Sequence, residues 1–304
     1  MQGAKARASS IYLRSISCLS RIVSSRPLIF FSHANSFPAG TYRKLFELLS
    51  PRYRIEAVDR YGHDPDFPVT DGWSHLVRQA EQGLARVRRG DEPVILVGHS
   101  LGGFLSLMLA AQSPGMVKGV IMLDSPVIDG WKAGVLRAAK KVGLASRFPP
   151  AAAAVRRRES FASQQDAFGH FSRKHVFSSW DADILRDYVA CGVCEPTDVS
   201  GSSARLRFAR DIEAQIYQTV PHDLARVCRR LRHPAPGLPV GFIYGRRSHE
   251  IRLAGLGATR RLVGPHLRAI RGGHLFPMEQ PEATAHLIID LLDNMFPHAT
   301  ARAV

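Results

Sequence analysis

Residues 96–111 read LVGHSLGGFLSLMLAA, an apolar run that ends in a serine set between glycines and passes at once into a second apolar, helix-forming segment. A buried strand that enters a helix without a loop leaves few folds open, because the chain must turn sharply at Ser100 and the strand must lie inside a layered α/β sheet. A serine hydroxyl is a weak nucleophile unless it is exposed, aimed and deprotonated, and a sharp strand-to-helix turn achieves the first two. Gly98 and Gly102 make room where strand and helix pack closely. The N-terminal end of the following helix brings backbone N–H groups, led by Leu101, toward any oxyanion that forms there.

The rest of the chain fits that sheet. PLIFFSHANS reads as a buried strand ending in a polar loop, YRIEAVDRYGHD as a second strand ending near Asp59, and Trp73 to Arg88 has helical spacing up to a stop at Gly90. PVILVGHS and VKGVIMLDS supply two more strands, and the pattern resumes only with LPVGFIYG from Leu238. The intervening Pro126 to Gly237 is rich in Ala, Arg and charged helical stretches such as WDADILRDYVA, and reads as a helical cap inserted into the sheet. HLRAIRGGHLFPMEQPEATAHLIIDLLDNM then gives a short strand, a loop carrying His274, and a helix from Pro281 to Met295. The expected organisation is a basic, Ser-rich extension over 1–26, an α/β core over 27–125 and 238–304, and the cap over 126–237.

A chain of 304 residues with 45% hydrophobic content buries a core without staples. Cys18, Cys191, Cys194 and Cys228 are too sparse for a disulfide framework or a zinc-ligand array, so Cys191 and Cys194 read as ordinary thiols in a reducing compartment. No metal and no cofactor is expected. The net charge of +15 comes from scattered clusters such as Arg156 to Arg158 and Arg229–Arg230, with no recognition helix or interleaved aromatics. It reads as a solvated Arg-rich surface and not as a nucleic-acid groove. In the first 26 residues Lys5, Arg7, Arg14, Arg21 and Arg26 lie among serines with no acid before Glu47, a composition that fits either a disordered extension or a mitochondrial address. Arg14 and Arg21 interrupt any secretory apolar region, and no segment reaches the ~20 apolar residues of a membrane span. The expected location is cytoplasmic, with a mitochondrial alternative.

GHSLGG after a strand, HANSFP earlier and GGHLFPMEQPE late resemble the α/β-hydrolase superfamily from about Arg26 to Met295. The resemblance implies a mostly parallel sheet flanked by helices with an inserted cap. It also implies a serine nucleophile at Ser100, a general base at His274, and a second oxyanion N–H from Asn35 in the loop His33–Ala34–Asn35, where the family more often has His-Gly-X. His33 braces that loop. Asp59, Arg60, Gly62 and His63 match the family's structural turn after the second strand, with no catalytic role. The N-terminal strand pair that usually opens the fold has no convincing counterpart before Arg26, so the sheet is expected to be abbreviated.

The acid departs from the common pattern. The family's Gly-x-x-Asp after the post-cap strand is here Gly245, Arg246, Arg247, Ser248, and a serine carries no charge to orient a histidine. Two carboxylates remain: Glu250, two residues on, and Asp124, at the end of the strand beside the nucleophile strand. Asp124 is favoured because a short side chain at a fixed strand end is better preorganised; its alternative role is an N-cap for a helix starting near Pro126. Phe37, Phe104 and His99 are placed as substrate-pocket residues, while Phe161, Phe168, Phe171, Trp180 and Tyr217 are placed in the packing of the cap. The implied activity is that of a cofactor-free serine hydrolase cleaving an ester or related acyl bond of a small-molecule substrate through an acyl-serine. The alternatives are a carbon–carbon bond hydrolase or perhydrolase with the same triad, and a non-catalytic binding protein on the same fold.

Overall fold

The computed structural model describes residues 26–195, 204–233 and 237–297. Strands β1 (Leu28–Ser32), β2 (Arg54–Ala57), β3 (Val94–His99) and β4 (Val117–Leu123) alternate with α1 (Arg43–Leu49), α2 (Ser74–Val87) and α3 (Leu101–Gln112). An insert follows, comprising α4 (Gly130–Lys141), α5 (Pro149–Ala154), β5 (Ser160–Phe161), α6 (Gln164–Ser172), α7 (Ala182–Gly192), β6 (Val193–Cys194), β7 (Ala204–Leu206), α8 (Arg210–Gln218) and α9 (Leu224–Arg232). The chain then returns through β8 (Val240–Gly245), α10 (His249–Ala254), α11 (Gly257–Val263), β9 (Leu267–Ile270), α12 (Phe276–Glu279) and α13 (Pro281–Met295).

Six strands pair in the order β2-β1-β3-β4-β8-β9, and every pairing is parallel. Because side chains alternate across a strand, Ile29, Phe31, Ile95 and Val97 enter one core with α13, while Leu28, Phe30, Val94 and Leu96 enter a second core with α2 and α3. Parallel pairing also puts the carboxyl ends of β1, β3, β4, β8 and β9 along one edge. The loops that carry His33, Ser100, Asp124, Ser248 and His274 therefore leave the sheet side by side.

The insert differs from a purely helical reading. Strands β5, β7 and β6 form a small antiparallel sheet, each too short to show a period of two in the sequence. Helix α9 buries Leu224, Cys228 and Leu231, at i, i+4 and i+7, in the same core as α3, so it belongs to the layer flanking the main sheet. The first helix after β4 starts at Gly130, so Asp124 caps no helix at Pro126. An aromatic cluster of Phe161, Phe171, Phe177, Trp180 and Tyr188 fills the rest of the insert and runs into the core behind β1 through Tyr42. Among the described residues no helix is long and apolar enough to cross a membrane. The basic extension, including Cys18, lies outside the described residues apart from Arg26.

Candidate active site

Ser100 has φ +53° and ψ −116°, a conformation non-glycine residues rarely adopt, and it directly precedes α3. The glycines around it are required by contact distance. A Cβ on Gly102 would lie 1.9 Å from the Ser32 carbonyl oxygen, one on Gly98 2.2 Å from the Gly102 carbonyl oxygen, and one on Gly103 2.1 Å from Ser125 Oγ. The Ser125 hydroxyl donates to the Ser100 carbonyl at 2.8 Å and fixes the turn from the β4 side.

Ser100 Oγ lies 2.9 Å from His274 Nε2, and His274 Nδ1 lies 2.7 Å from Asp124 Oδ2. Asp124 is itself at a positive φ of +50°, and its side chain is wholly buried. It accepts from the Gly245 N–H at 2.8 Å and from the Ser248 hydroxyl at 2.5 Å. Glu250 also approaches, at 3.5 Å from His274 Nδ1, but its side chain is 42% exposed. Ser248, which stands where the family usually has its acid, lies 3.0 Å from Glu250 Oε2, yet its single hydrogen belongs to the shorter contact with Asp124. Burial alone would push the His274 imidazole below its ordinary value; the hydrogen bond to Asp124 and the charges of Glu250, Asp124 and Glu279 outweigh it, and the net shift is upward. Asp124, Glu250 and His274 are close enough together to reach a common ion, but Asp124 already spends its oxygens on three donors.

His99, expected to line a pocket, is fully buried, and both of its ring nitrogens are taken by other groups of the protein. Its Nε2 is 2.8 Å from the His274 carbonyl, which can only accept, so Nε2 carries the proton and Nδ1 accepts from the Tyr42 hydroxyl at 2.7 Å. Tyr42 in turn accepts from the Ala34 N–H at 3.1 Å. One neutral chain thus runs from the β1 loop to the backbone of His274. Burial, followed by the nearby His274 charge, holds His99 well below its ordinary pKa and keeps the ring neutral. The sequence carries no signal for Tyr42, which is one tyrosine of seven.

In the β1 loop His33 is buried, with Nδ1 donating to the Ala34 carbonyl at 2.8 Å and Nε2 accepting from the Tyr61 N–H at 3.1 Å; burial lowers its pKa to about 4. The left-handed residue of this loop is Ser36, at φ +72°, so Ala34 needs no glycine. The Asn35 side chain donates to the Glu213 carbonyl of α8 at 3.0 Å. Its backbone N–H and that of Leu101 donate to no backbone group among the described residues. Phe37 is half-buried beside Trp180 and Tyr188, at ring separations of 5.9 and 5.6 Å. Phe104 departs from its expected place on a pocket wall: it sits in the core against Trp73, at 6.1 Å, because α2 and α9 build one apolar cluster with α3 there. Tyr217 is also more than packing. Burial and then the charge of Glu213 hold its phenol well above the ordinary value, and Glu250 and the Asn35 side chain lie close by.

A separate cavity of about 620 Å³ opens beside β2, lined by Arg43, Phe46, Tyr53 and Cys191 among others, and it contains none of these site residues. The sequence profile of the alpha/beta hydrolase family matches residues 29–287. The chain belongs to the α/β-hydrolase family. It is 36% identical to 2-(acetamidomethylene)succinate hydrolase of Mesorhizobium japonicum over 108 residues, 34% of this chain and 38% of that protein. It is 29% identical to monoglyceride lipase of Mus musculus over 109 residues, 34% and 36% of the two chains. These alignments thus span little more than a third of those relatives. Over the whole fold, the crystal structure of E-2-(acetamidomethylene)succinate hydrolase superposes with a TM-score of 0.63 at 25% identity, covering 88% of this α/β hydrolase and 91% of that chain. The thioesterase domain from the curacin biosynthetic pathway shares the fold, with a TM-score of 0.66 at 17% identity over 87% and 91%.

Proposed function

We propose that this α/β hydrolase is a serine hydrolase that cleaves an ester or related acyl bond through an acyl-Ser100 intermediate. The observation that carries the reading is the continuous contact from Ser100 Oγ through both nitrogens of His274 to buried Asp124, at 2.9 and 2.7 Å, on a strained strand-to-helix turn. His274 Nε2 takes the hydroxyl proton as Ser100 Oγ attacks the acyl carbon, and the Leu101 and Asn35 N–H groups receive the negative charge that develops on the carbonyl oxygen. When the tetrahedral adduct collapses, the proton passes from His274 to the leaving group. A water then gives its proton to His274 and attacks the acyl carbon, and the proton returns to Ser100 as the acid leaves. Asp124 holds the imidazole in the required tautomer throughout.

The insert over 126–237 is the cap in this reading, with Phe37, Trp180 and Tyr217 facing the acyl group. The substrate is a small acyl compound; the relatives act on an acetamidomethylene succinate and on monoglycerides by name, which supports acyl transfer without choosing between amide and ester.

The test is labelling with a fluorophosphonate together with turnover of short and medium acyl aryl esters. The native chain is expected to label and turn over. Ser100→Ala should abolish both, and His274→Ala should reduce turnover to the roughly 10³–10⁴-fold background that an oxyanion site alone gives over water. An unlabelled native protein would remove the catalytic reading and leave a binding protein on this fold.

A further inference from the structure

Helix α4 contributes no buried residue. Trp131, Val135, Ala138 and Val142 stand at i, i+4, i+7 and i+11, one face of the helix and its C-cap, and the three large side chains are 75%, 57% and 68% exposed. The opposite face is tied down: Lys140 pairs with Asp71 and donates to the Val220 carbonyl at 2.9 Å. The apolar stripe therefore points outward and is not free to roll into the protein. At its start Lys132 Nζ donates to the Leu253 and Ala254 carbonyls at 2.7 and 3.1 Å, which ties α4 to the end of α10, where Leu253 is 63% exposed.

Cations border this stripe. By helical angle Lys132 flanks one side, and Lys141 and Arg137 the other. From Gly130 to Arg158 the chain holds eight basic residues and no Asp or Glu. Arg137 and Lys141 form no ion pair among the described residues, unlike the many arginines elsewhere that face a carboxylate. An exposed tryptophan and two valines between unpaired cations is the pattern of a helix that lies in the plane of a lipid–water interface, where the apolar residues enter the acyl boundary and the long cationic side chains reach the headgroups.

We propose that α4 docks this protein on an anionic lipid surface. A second copy does not fit the face, because a two-fold contact would set the unpaired Arg137 and Lys141 of each protomer against the same cations of the other, in a chain of net charge +15. The proposal is independent of the catalytic reading: none of its residues belongs to the site around Ser100, and its test reads binding and not turnover.

The test is sedimentation of the full chain with vesicles of phosphatidylcholine containing phosphatidylglycerol, and with phosphatidylcholine alone, at low and high salt, with tryptophan emission read alongside. Trp73 and Trp180 are buried at 2% and 8% exposure, so a blue shift on adding vesicles reports Trp131. The native chain is expected to bind the anionic vesicles with a blue shift, to lose that binding at high salt, and to bind phosphatidylcholine at least tenfold more weakly (roughly, from the basic residues near the surface). Val135→Asp and Trp131→Ser should each lower partitioning about tenfold or more, and Arg137→Glu with Lys141→Glu should remove the preference for the anionic lipid. All four positions are on the solvent side, so circular dichroism and aryl-ester turnover should stay unchanged. Absence of binding to anionic vesicles, binding undiminished in Val135→Asp, or equal binding to both lipids would each overturn the proposal. So would a lipid-free dimer, detected by sedimentation, whose formation itself shifts the Trp131 emission.

Discussion

At the scale of single residues, two carboxylates approach His274, and their surroundings separate them. Asp124 is wholly buried and receives three donors, whereas Glu250 is 42% exposed and 3.5 Å away. In the proposed mechanism Asp124→Asn should lower turnover by about 10⁴, some 5 kcal/mol of barrier, because an amide no longer fixes the tautomer or stabilises the imidazolium. Glu250→Gln should cost no more than about tenfold. It should also move the acid limb of the pH–rate profile downward. His274 works as a base only when neutral, its pKa is raised partly by the Glu250 charge, and activity falls as pH drops through that raised value; without the charge, activity survives to lower pH. If Glu250→Gln is the crippled variant and Asp124→Asn is near native, the assignment is reversed. Tyr42→Phe tests the chain through His99. It leaves the Ala34 N–H and His99 Nδ1 without partners, and should cost about 1–3 kcal/mol of stability in urea unfolding. It should lower kcat more than it raises KM, since the hydroxyl positions the loop and His274 without touching substrate.

Among elements, the junction of β3 and α3 is the most constrained, for the backbone of β1 passes within van der Waals reach of the first turn of α3. Gly102→Ala places a Cβ 1.9 Å from the Ser32 carbonyl oxygen, and backbone on both sides leaves nothing flexible to yield. The expected loss is about 3 kcal/mol or more in denaturant unfolding. Gly115→Ala, whose Cβ would meet nothing within 4 Å, should be nearly neutral by comparison. The insert is held by polar contacts from several elements rather than by one interface. Arg207 pairs with Asp59 at 2.7 Å, His63 Nε2 accepts from the Ala209 N–H at 2.9 Å, and the Trp73 indole donates to the Ile216 carbonyl at 3.2 Å. The turn of Asp59, Arg60, Gly62 and His63 therefore does structural work, holding α8 over the Asn35 loop.

Over the whole molecule, the buried neutral histidines link stability to pH. His33 has a folded pKa of about 4 against an ordinary 6.5, and His99 is also well below its ordinary value; in both, burial is the leading cause. In the unfolded chain both bind protons as pH falls below 6.5, while the folded chain does not, so stability is intact above 6.5 and is lost as pH falls toward the folded values. Two such groups give a slope of about 2.7 kcal/mol per pH unit, and His33 alone accounts for about 3 kcal/mol over its full window. His274, whose pKa is raised, adds slope only above 6.5, where its stabilisation fades as pH rises through the folded value. Urea unfolding at pH 7, 6 and 5 should therefore show a steep fall in stability well before most carboxylates titrate. A flat profile between pH 7 and 5 would show that the two imidazoles become solvated and protonated in the folded state.

What the sequence determined by itself is local. The apolar run into Gly98–His99–Ser100, the helix that follows, and the late Gly272–Gly273–His274 loop are each written within a dozen residues, since strand and helix periods and the steric demand for glycine act between near neighbours. Parallel order followed from alternation of strands and helices. The tertiary structure decided what depends on groups far apart in the chain. Asp124 and His274 are separated by 150 positions, and only the shared carboxyl edge of β4, β8 and β9, with Ser248 donating from the end of the intervening β8, brings the buried carboxylate and not Glu250 against Nδ1. The same holds for His99, whose neighbours in sequence suggest a pocket but whose partners are Tyr42 and the His274 carbonyl. It holds too for α9, whose apolar face reads equally well against a cap or a sheet until α3 is seen to cover it, and for Phe104 of α3, which turns into that same core. Periodicity marks which face of an element is buried; only three-dimensional packing names what lies on the other side.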